Sequence, residues 1–517
     1  MTRLWIALHL PLLQLEIFRP NWLTEQATVV LEQNRITCAS ALARQSGAQI
    51  GMRKAGLQML LPSALFYQRQ PALETRTLQQ VAMALLNYTP QVAYAGHDCL
   101  LMDIGASLRL FGGIRALCRR IKETMRVMGM TITLSCAPTA MGAWLLARNA
   151  ASTADKLNMH SSKSRRQRPP ATRILKLNKL VQSLDSLPVH LLPAATPWLD
   201  WLRGIACDHL GTLQKLPRAG LKRRCGKQIL DVLDQAYGEQ VELFEWIAIP
   251  PQFKVRIDMP DRIEHAEMVL AFIRSLLTQL MGWLTAKQLA VSQVDLQLEH
   301  ERGRQAIAPT LLSILLAEPV WREDHLVRLL KERLAQVKLE APVIAVSLDA
   351  SQVQAMHVPN ATLFPEPKAY AENHHRLLEL LVARLGDNQV LQAAPRADHR
   401  PEIANHWTSV IHQQATEKQC QQQQPPLQAS RPMWLLEKAI AIEIRQHRPY
   451  YQAPLKLLTS AERIEAGWWN GQLVTRDYFV AENPAHVRYW IYRERLGERQ
   501  NEQTDTNASW FVHGVFG

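Results

Sequence analysis

A strand–helix–strand succession occurs in the N-terminal portion of this chain and again across residues 253–355, with an all-helical stretch between them. That order admits an α+β protein of several domains, with each sheet buried under its own helices. "RLWIALHL" is a β-prone run, and residues 20–75 mix short helical and extended pieces. "TRTLQQVAMALLNYTP" then has helical spacing at Leu78, Val81 and Leu85 and stops before Pro90. "DCLLMDIG" alternates like a strand, "GGIRALCRRIKETMRVMG" reads as an amphipathic helix, and "MTITLSCAP" is β-branched and extended. Residues 175–245 look wholly helical. Beyond them come strand "FKVRIDMP", helix "EMVLAFIRSLLTQLMGWL", strand "SQVDLQLEHE", helix "EDHLVRLLKERLAQVKL" and strand "PVIAVSLD". "SSKSRRQRPP" (161–170) reads as a solvated linker, and the stretch 365–430, with its "QCQQQQPPLQAS", as largely linker. Residues 431–517 turn aromatic and strand-like, and the turn signals Asn470-Gly471 and Asn483-Pro484 predict a compact β-rich module.

At 517 residues the chain exceeds one core. Its formal charge of +13 favours a polyanionic partner, nucleic acid first, with a generic basic surface as the alternative. The seven cysteines are scattered without a CxxC pair, which argues against structural zinc or a disulfide framework and suits a reducing cytoplasm. Pro11 and Glu16 break the apolar N-terminus well short of a membrane span, so a soluble, cytoplasmic protein with no membrane association is expected. No GxSxG, P-loop, HExxH or GxGxxG stands in a supporting context.

The order of these pieces resembles the Y-family (translesion) DNA polymerases over roughly residues 4–355. The resemblance implies a palm at 1–170 with fingers inserted at about 20–75. A helical thumb with a helix–hairpin–helix follows at 171–248, and an α+β little finger at 249–356. A linker at 357–430 and a β-rich C-terminal module at 431–517 complete the chain. "ERIEAGWWNGQLVTRDYFVAEN…RYWIYRE…WFVHGVFG" is similar to the end of the ImuB-type proteins, polymerase-like subunits of a bacterial inducible mutagenesis complex.

Laid on this chain, the family's first metal motif falls on "ALHLPLLQLE", which puts Ala7 at a metal-ligand position and His9 at the second Asp, while Glu16 matches the closing Glu. The second motif falls on "GHDCLLMD". There Asp98 and Asp103 match, and Cys99 takes the place of the catalytic Glu. One of three metal-binding carboxylates survives. Two divalent ions about 4 Å apart repel by roughly 17 kcal/mol at an effective dielectric near 20, and only several hard anionic ligands offset that. The resemblance therefore implies no catalysis, no metal and no cofactor. Arg44 remains as the triphosphate-reaching Arg of "ASALAR", whereas Trp144 replaces a basic phosphate contact. Adjacent strand residues face opposite ways, so His97, Asp98 and Cys99 do not converge on an ion, and His9 with Asp98 reads as a structural pair across the sheet.

What remains is binding. In "LRGIA" of the thumb, Gly204 is read as permitting a tight turn whose N–H groups meet a DNA phosphate. Arg218, Lys222, Arg223 and Arg224 add ion contacts, against the alternative of an ordinary helical hairpin with a solvated basic face. Lys254, Arg256, Arg302 and Arg304 add basic charge in the little-finger region. "PNATLFPEP" (359–367) resembles a sliding-clamp-binding pentapeptide, with Leu363 and Phe364 as anchors and Asn360 in place of the usual Gln. Its alternative is a local apolar staple. Trp468, Trp469, Tyr478, Phe479, Trp490, Tyr492, Trp510 and Phe511 read as a small β core, and the resemblance adds contacts with partner proteins.

The expected protein is a non-catalytic adaptor in damage-induced translesion synthesis that binds DNA and the sliding clamp (β subunit). By the resemblance, it recruits an error-prone, replicative-type C-family DNA polymerase and a RecA-like accessory subunit. Two rivals stay open: an active polymerase with a displaced ligand set of Asp98, Asp103 and Glu16, and a basic DNA-binding protein with no clamp role.

Overall fold

In the computed structural model the described residues are 3–23, 26–159, 172–301, 307–356, 368–410, 431–495 and 510–516. The linker read at 161–170, the motif at 359–367, Arg302 and Arg304 lie outside them. The chain divides into two units, Met1–Arg376 and Leu377–Gly517.

The first unit begins with β1 (Trp5–His9), all five residues buried, followed by the short helix α1 (Leu13–Glu16). Next come β2 (Thr28–Glu32), β3 (Arg35–Ala39), α2 (Ala41–Gln45), α3 (Lys54–Leu60) and β4 (Leu65–Gln68). They form a three-stranded sheet, order β3-β2-β4, closed over a small core of Val29, Leu31, Ile36 and Leu57. The chain then returns through α4 (Pro71–Leu85), β5 (Val92–Tyr94), β6 (Cys99–Asp103), α5 (Ile114–Val127), β7 (Thr133–Ala137) and α6 (Ala140–Met159). The resulting four-stranded sheet has the order β5-β6-β1-β7. β1 runs antiparallel to both neighbours, with Ala7 opposite Leu101 and Ser135, and His9 opposite Cys99 and Thr133.

Strand alternation sorts this sheet into two faces. Ile6, Leu8, Leu100, Met102 and Cys136 pack under α4 and α5 through Leu78, Val81, Leu85, Leu117, Ile121 and Met125. Trp5, Ala7, Cys99 and Leu101 face α6 and the helical segment that follows it. That segment holds α7 (Leu177–Asp185), α8 (Leu199–Gly204), α9 (Leu210–Gln214), α10 (Arg218–Cys225) and α11 (Lys227–Tyr237).

β8 (Lys254–Ile263), α12 (Leu270–Lys287), β9 (Leu289–His300), β10 (Thr310–Val320), α13 (Glu323–Gln336) and β11 (Val343–Ala355) build a second four-stranded sheet, order β10-β9-β11-β8. β10 was not anticipated, because its run "TLLSILLAEPV" has no clean alternation that separates a buried strand from a helix segment. Residues Ala266–Lys287 are long and apolar enough to cross a membrane, but Phe272, Ile273, Leu276, Leu277, Leu280 and Leu284 are buried in the core of this unit.

The stretch expected to be mostly linker is structured over residues 368–410. It holds α14 (Lys368–Leu385), ended by Gly386 at φ 93°, and the hairpin β12 (Leu391–Pro395)–β13 (Asn405–Ser409). The Gln- and Pro-rich composition belongs to residues 411–430, outside the described residues, and it masked the helical "HHRLLELLVARLG" ahead of it. In the second unit, β14 (Trp434–Arg445), β15 (Arg448–Tyr451), β16 (Ala453–Pro454), β17 (Lys456–Leu457), β18 (Glu462–Ala466), β19 (Val474–Glu482), β20 (Arg488–Glu494) and β21 (Trp510–Val515) form one eight-stranded sheet. Tyr478, Trp490 and Tyr492 are buried in it, the Tyr478 and Trp490 rings stacked 4.1 Å apart, whereas Trp468 and Trp469 are 68% and 55% exposed.

Candidate functional site

The two positions where the resemblance places metal ligands are closed. Ala7 and Cys99 have no exposure and lie among Trp5, Leu101, Ala143 and Trp144 in the core between the first sheet and α6. Burial, with the nearby Asp98 charge, pushes the Cys99 thiol well above its ordinary value, so it is a neutral packing group. Asp98 precedes the first residue of β6, where strand alternation does not bind it, and its carboxylate turns to His9, Nε2 to Oδ2 at 3.3 Å. His9 is buried. Its Nδ1 lies 3.3 Å from Thr133 Oγ1, and that hydroxyl donates to the Ala147 carbonyl at 3.1 Å. Both ring nitrogens are thereby engaged.

Burial alone would raise the Asp98 carboxyl, but the His9 hydrogen bond, the His9 charge and the Arg148 guanidinium outweigh it and hold the group below the ordinary carboxylate value. Arg148 was not singled out in the sequence. It sits one helical turn after Trp144 on α6 and stacks on that ring at 4.9 Å, so position i+4 on the helix was the available signal. Trp144 itself is buried and presents no cation. Protein groups thus supply positive charge beside the Asp98 carboxylate.

The displaced ligand set does not assemble. Asp103 ends β6, five residues after Asp98 and roughly 16 Å along an extended chain. Its Oδ1 accepts the Gly105 N–H at 3.0 Å. Glu16 is 2% exposed, and its Oε2 accepts the Thr131 N–H at 2.8 Å. Among the described residues no group of three or more His, Cys, Asp or Glu side chains could hold a metal ion. Arg44 lies half-buried in the last turn of α2, whose N-terminus is capped by Ser40 Oγ on the Ala43 N–H at 3.3 Å.

The helical segment presents an exposed hairpin at Arg203–Ala206 and an exposed basic helix, α10, that buries only Leu221 and Cys225. Two readings of it need correction. Gly204 does not supply the turn's left-handed residue; Ala206 does, at φ 55°, while Gly204 simply ends α8. Arg218, its side chain about half exposed, is a paired cation rather than a free one. Its Nη2 donates to both oxygens of Asp234 on α11, at 2.6 Å to Oδ1, and Nη1 lies 3.6 Å from Glu239, so it braces α10 against α11. Lys222 and Arg223 are exposed, and Arg224 stacks over Trp201 at 5.2 Å. In the second four-stranded sheet, Arg256 bonds Glu299 at 2.5 Å and Asp258 at 2.9 Å, while Lys254 lies 3.6 Å from Asp349.

Residues 12–148 match the family model described as the impB/mucB/samB family. This segment is an impB/mucB/samB-family domain. The match to the domain begins past Ala7 and His9 and takes in Asp98 and Cys99. The chain is similar to Protein ImuB of Caulobacter vibrioides, from strain NA1000 / CB15N and from strain ATCC 19089 / CIP 103742 / CB 15. Each is 24% identical over 487 residues, which cover 90% of this chain and 99% of the relative. Among solved structures it is similar to a Dbh ternary complex at 15% identity and a TM-score of 0.37, over 67% of this chain and 98% of that one. DinB from Sulfolobus solfataricus is similar at 13% identity and a TM-score of 0.35, over the same shares. The chain is thus an α+β protein whose residues 12–148 match the impB/mucB/samB family.

Proposed function

We propose that this chain is a non-catalytic, polymerase-like adaptor of damage-induced translesion synthesis that works in the cytoplasm on DNA. The observation that carries the reading is the closure of the two-metal position. Ala7 and Cys99 are sealed in an apolar core, and the remaining Asp98 is paired with His9 beside Arg148. Two divalent ions held by one carboxylate would leave their mutual repulsion uncompensated.

In this reading residues 1–170 are a palm with inserted fingers, 171–248 a thumb and 249–356 a little finger, and the exposed hairpin with Lys222, Arg223 and Arg224 tracks DNA phosphates. Leu363 and Phe364, with Asn360, tether the sliding clamp. The C-terminal module, whose Trp468 and Trp469 face solvent, meets the error-prone C-family polymerase and a RecA-like subunit. Tethering raises the local concentration of the polymerase with no chemistry of its own.

The test is clamp binding by the intact chain and by Leu363→Ala/Phe364→Ala, with primer extension on the same preparations. Binding lost in the double variant and no extension by either form is expected. Mg²⁺-dependent extension would restore the active-polymerase reading, and unchanged clamp binding would leave a basic DNA-binding protein. The thumb contacts predict a second result. Lys222→Ala with Arg223→Ala lowers the slope of log K against log salt on duplex DNA by roughly 0.9 per cation removed. Arg218→Ala, whose charge is already spent on Asp234, changes the slope far less and lowers thermal stability instead.

A further inference from the structure

On the sheet face opposite His9 and Asp98, two buried cysteines meet side by side. Cys118 from α5 and Cys136 from β7 are both free, with their sulfurs 3.8 Å apart. α5 holds Cys118 against the sheet through Leu117, Ile121 and Met125. Cys136 is fixed by its ladder pairing with Ile6 and by two further bonds, donating its N–H to Thr172 O at 2.7 Å and accepting the Ile174 N–H at 2.9 Å. Neither thiol belongs to the degenerate metal position.

Their surroundings differ from those of an ordinary core cysteine. A cavity is lined by both cysteines together with Arg115, Arg119, Lys122 and Arg173. Arg115, Arg119 and Lys122 recur at helical spacing along one face of α5, and Arg173 comes from the segment paired to β7. Of these cations Arg173 and Lys122 act on Cys118 and favour its thiolate, the form in which sulfur acts as a nucleophile.

We propose that Cys118 and Cys136 are a peroxide-oxidised dithiol that closes to a reversible intramolecular disulfide. The Cys118 thiolate attacks one peroxide oxygen. The O–O bond breaks, hydroxide leaves and is protonated to water, and Cys118 becomes a sulfenic acid. Cys136 then gives up its proton and attacks the Cys118 sulfur. The S–O bond breaks, a second water leaves and the S–S bond forms, so the two thiols lose two electrons and the peroxide gains them. The order of events follows from the pair. Cys118 keeps a little exposure where Cys136 has none, so peroxide reaches Cys118 first. The contact with Cys136 and the Arg173 and Lys122 charges lower the Cys118 thiol, while the same contact and burial push the Cys136 thiol up. Closure asks the sulfurs to approach by about 1.8 Å from 3.8 Å, a motion shared by two side-chain rotations.

The experiment exposes the reduced full-length chain to a small excess of hydrogen peroxide, blocks it with N-ethylmaleimide and maps peptides by mass spectrometry. The expected result is the loss of two of the seven thiols and a linked peptide pair joined through Cys118 and Cys136, lighter by two hydrogens and restored by dithiothreitol. In Cys136→Ser, Cys118 accumulates as a sulfenic acid that dimedone traps, and in Cys118→Ser, Cys136 stays reduced. Full alkylation of both cysteines after peroxide would overturn the proposal, as would a bridge through another cysteine or over-oxidation of Cys118 in the wild type without a bridge. The wild-type measurement decides even if a variant fails to fold.

Discussion

Gly282→Ala is expected to destabilise the first unit by about 3 kcal/mol, the upper end of overpacking costs. Gly282 lies on α12 where that helix crosses α4, and a Cβ there would meet the Met83 carbonyl oxygen at 2.0 Å, its carbon at 3.0 Å and Ala84 Cα at 3.1 Å. All three are backbone atoms, so no side chain can swing away and the helices must part. Around this crossing, Thr285 Oγ1 bonds Asn87 Oδ1 at 3.1 Å, Arg76 donates to the Arg256 carbonyl at 2.9 Å and Arg19 bonds Asp261 at 3.2 Å. Parting the helices strains these contacts together, and they are what dock the second four-stranded sheet on the first. Gly220 is the control. It sits on exposed α10 with nothing within 4 Å of a new Cβ, so Gly220→Ala is expected to stabilise by about 0.5–1 kcal/mol through helix propensity. Denaturant unfolding of the two variants checks both signs. Equal effects would mean that α4 and α12 do not approach this closely.

Glu16→Gln is expected to stabilise the protein by about 3 kcal/mol at pH 8 and by under about 1 kcal/mol at pH 5. Burial raises the Glu16 carboxyl from 4.5 to about 7, and the Thr131 hydrogen bonds only partly oppose that. One oxygen accepts the Thr131 N–H; the other has no partner. The folded chain therefore holds this proton more tightly than the unfolded chain does. The stability it contributes is fully present below about pH 4.5 and is lost as pH rises through about 7. Glutamine keeps the Thr131 bond and cannot ionise, so it reproduces the protonated state at every pH. Unfolding followed from pH 5 to pH 8 should show a falling stability for the wild type that flattens in the variant. Parallel curves would show that Glu16 does not titrate in the folded protein.

Much of the fold was legible because its signals are local. β1, β6 and β7 are short β-prone runs of five residues each, and α4 and α5 carry their apolar stripes at helical spacing. The residue types at the positions compared by resemblance were equally plain, since Ala7 has no donor atom and Cys99 a soft one. β10 and α14 were missed for opposite reasons. β10 is apolar on both faces, so period does not identify it. The helical pattern of α14 is short and adjoins a Gln-rich stretch whose composition spoke louder.

At the candidate site, the pairing of His9 with Asp98 followed from strand register, but the destinations of the neighbouring charges did not. Arg218 looked like a cation for phosphate and is held by Asp234, sixteen residues away. Glu16 looked like the end of a motif and is a buried acid beneath Thr131. Gly204 looked like the turn-making residue, yet the left-handed geometry falls on Ala206.

The amino-acid sequence by itself determined which segments could be strands or helices and which donor atoms Ala7, Asp98 and Cys99 can offer, because period and side-chain chemistry are properties of a few neighbouring residues. Only the tertiary structure decided which carboxylates are paired, which thiols touch and where two helices come together at a glycine. Those outcomes depend on desolvation and on distances between groups far apart in the chain, and neither quantity exists until the core has closed.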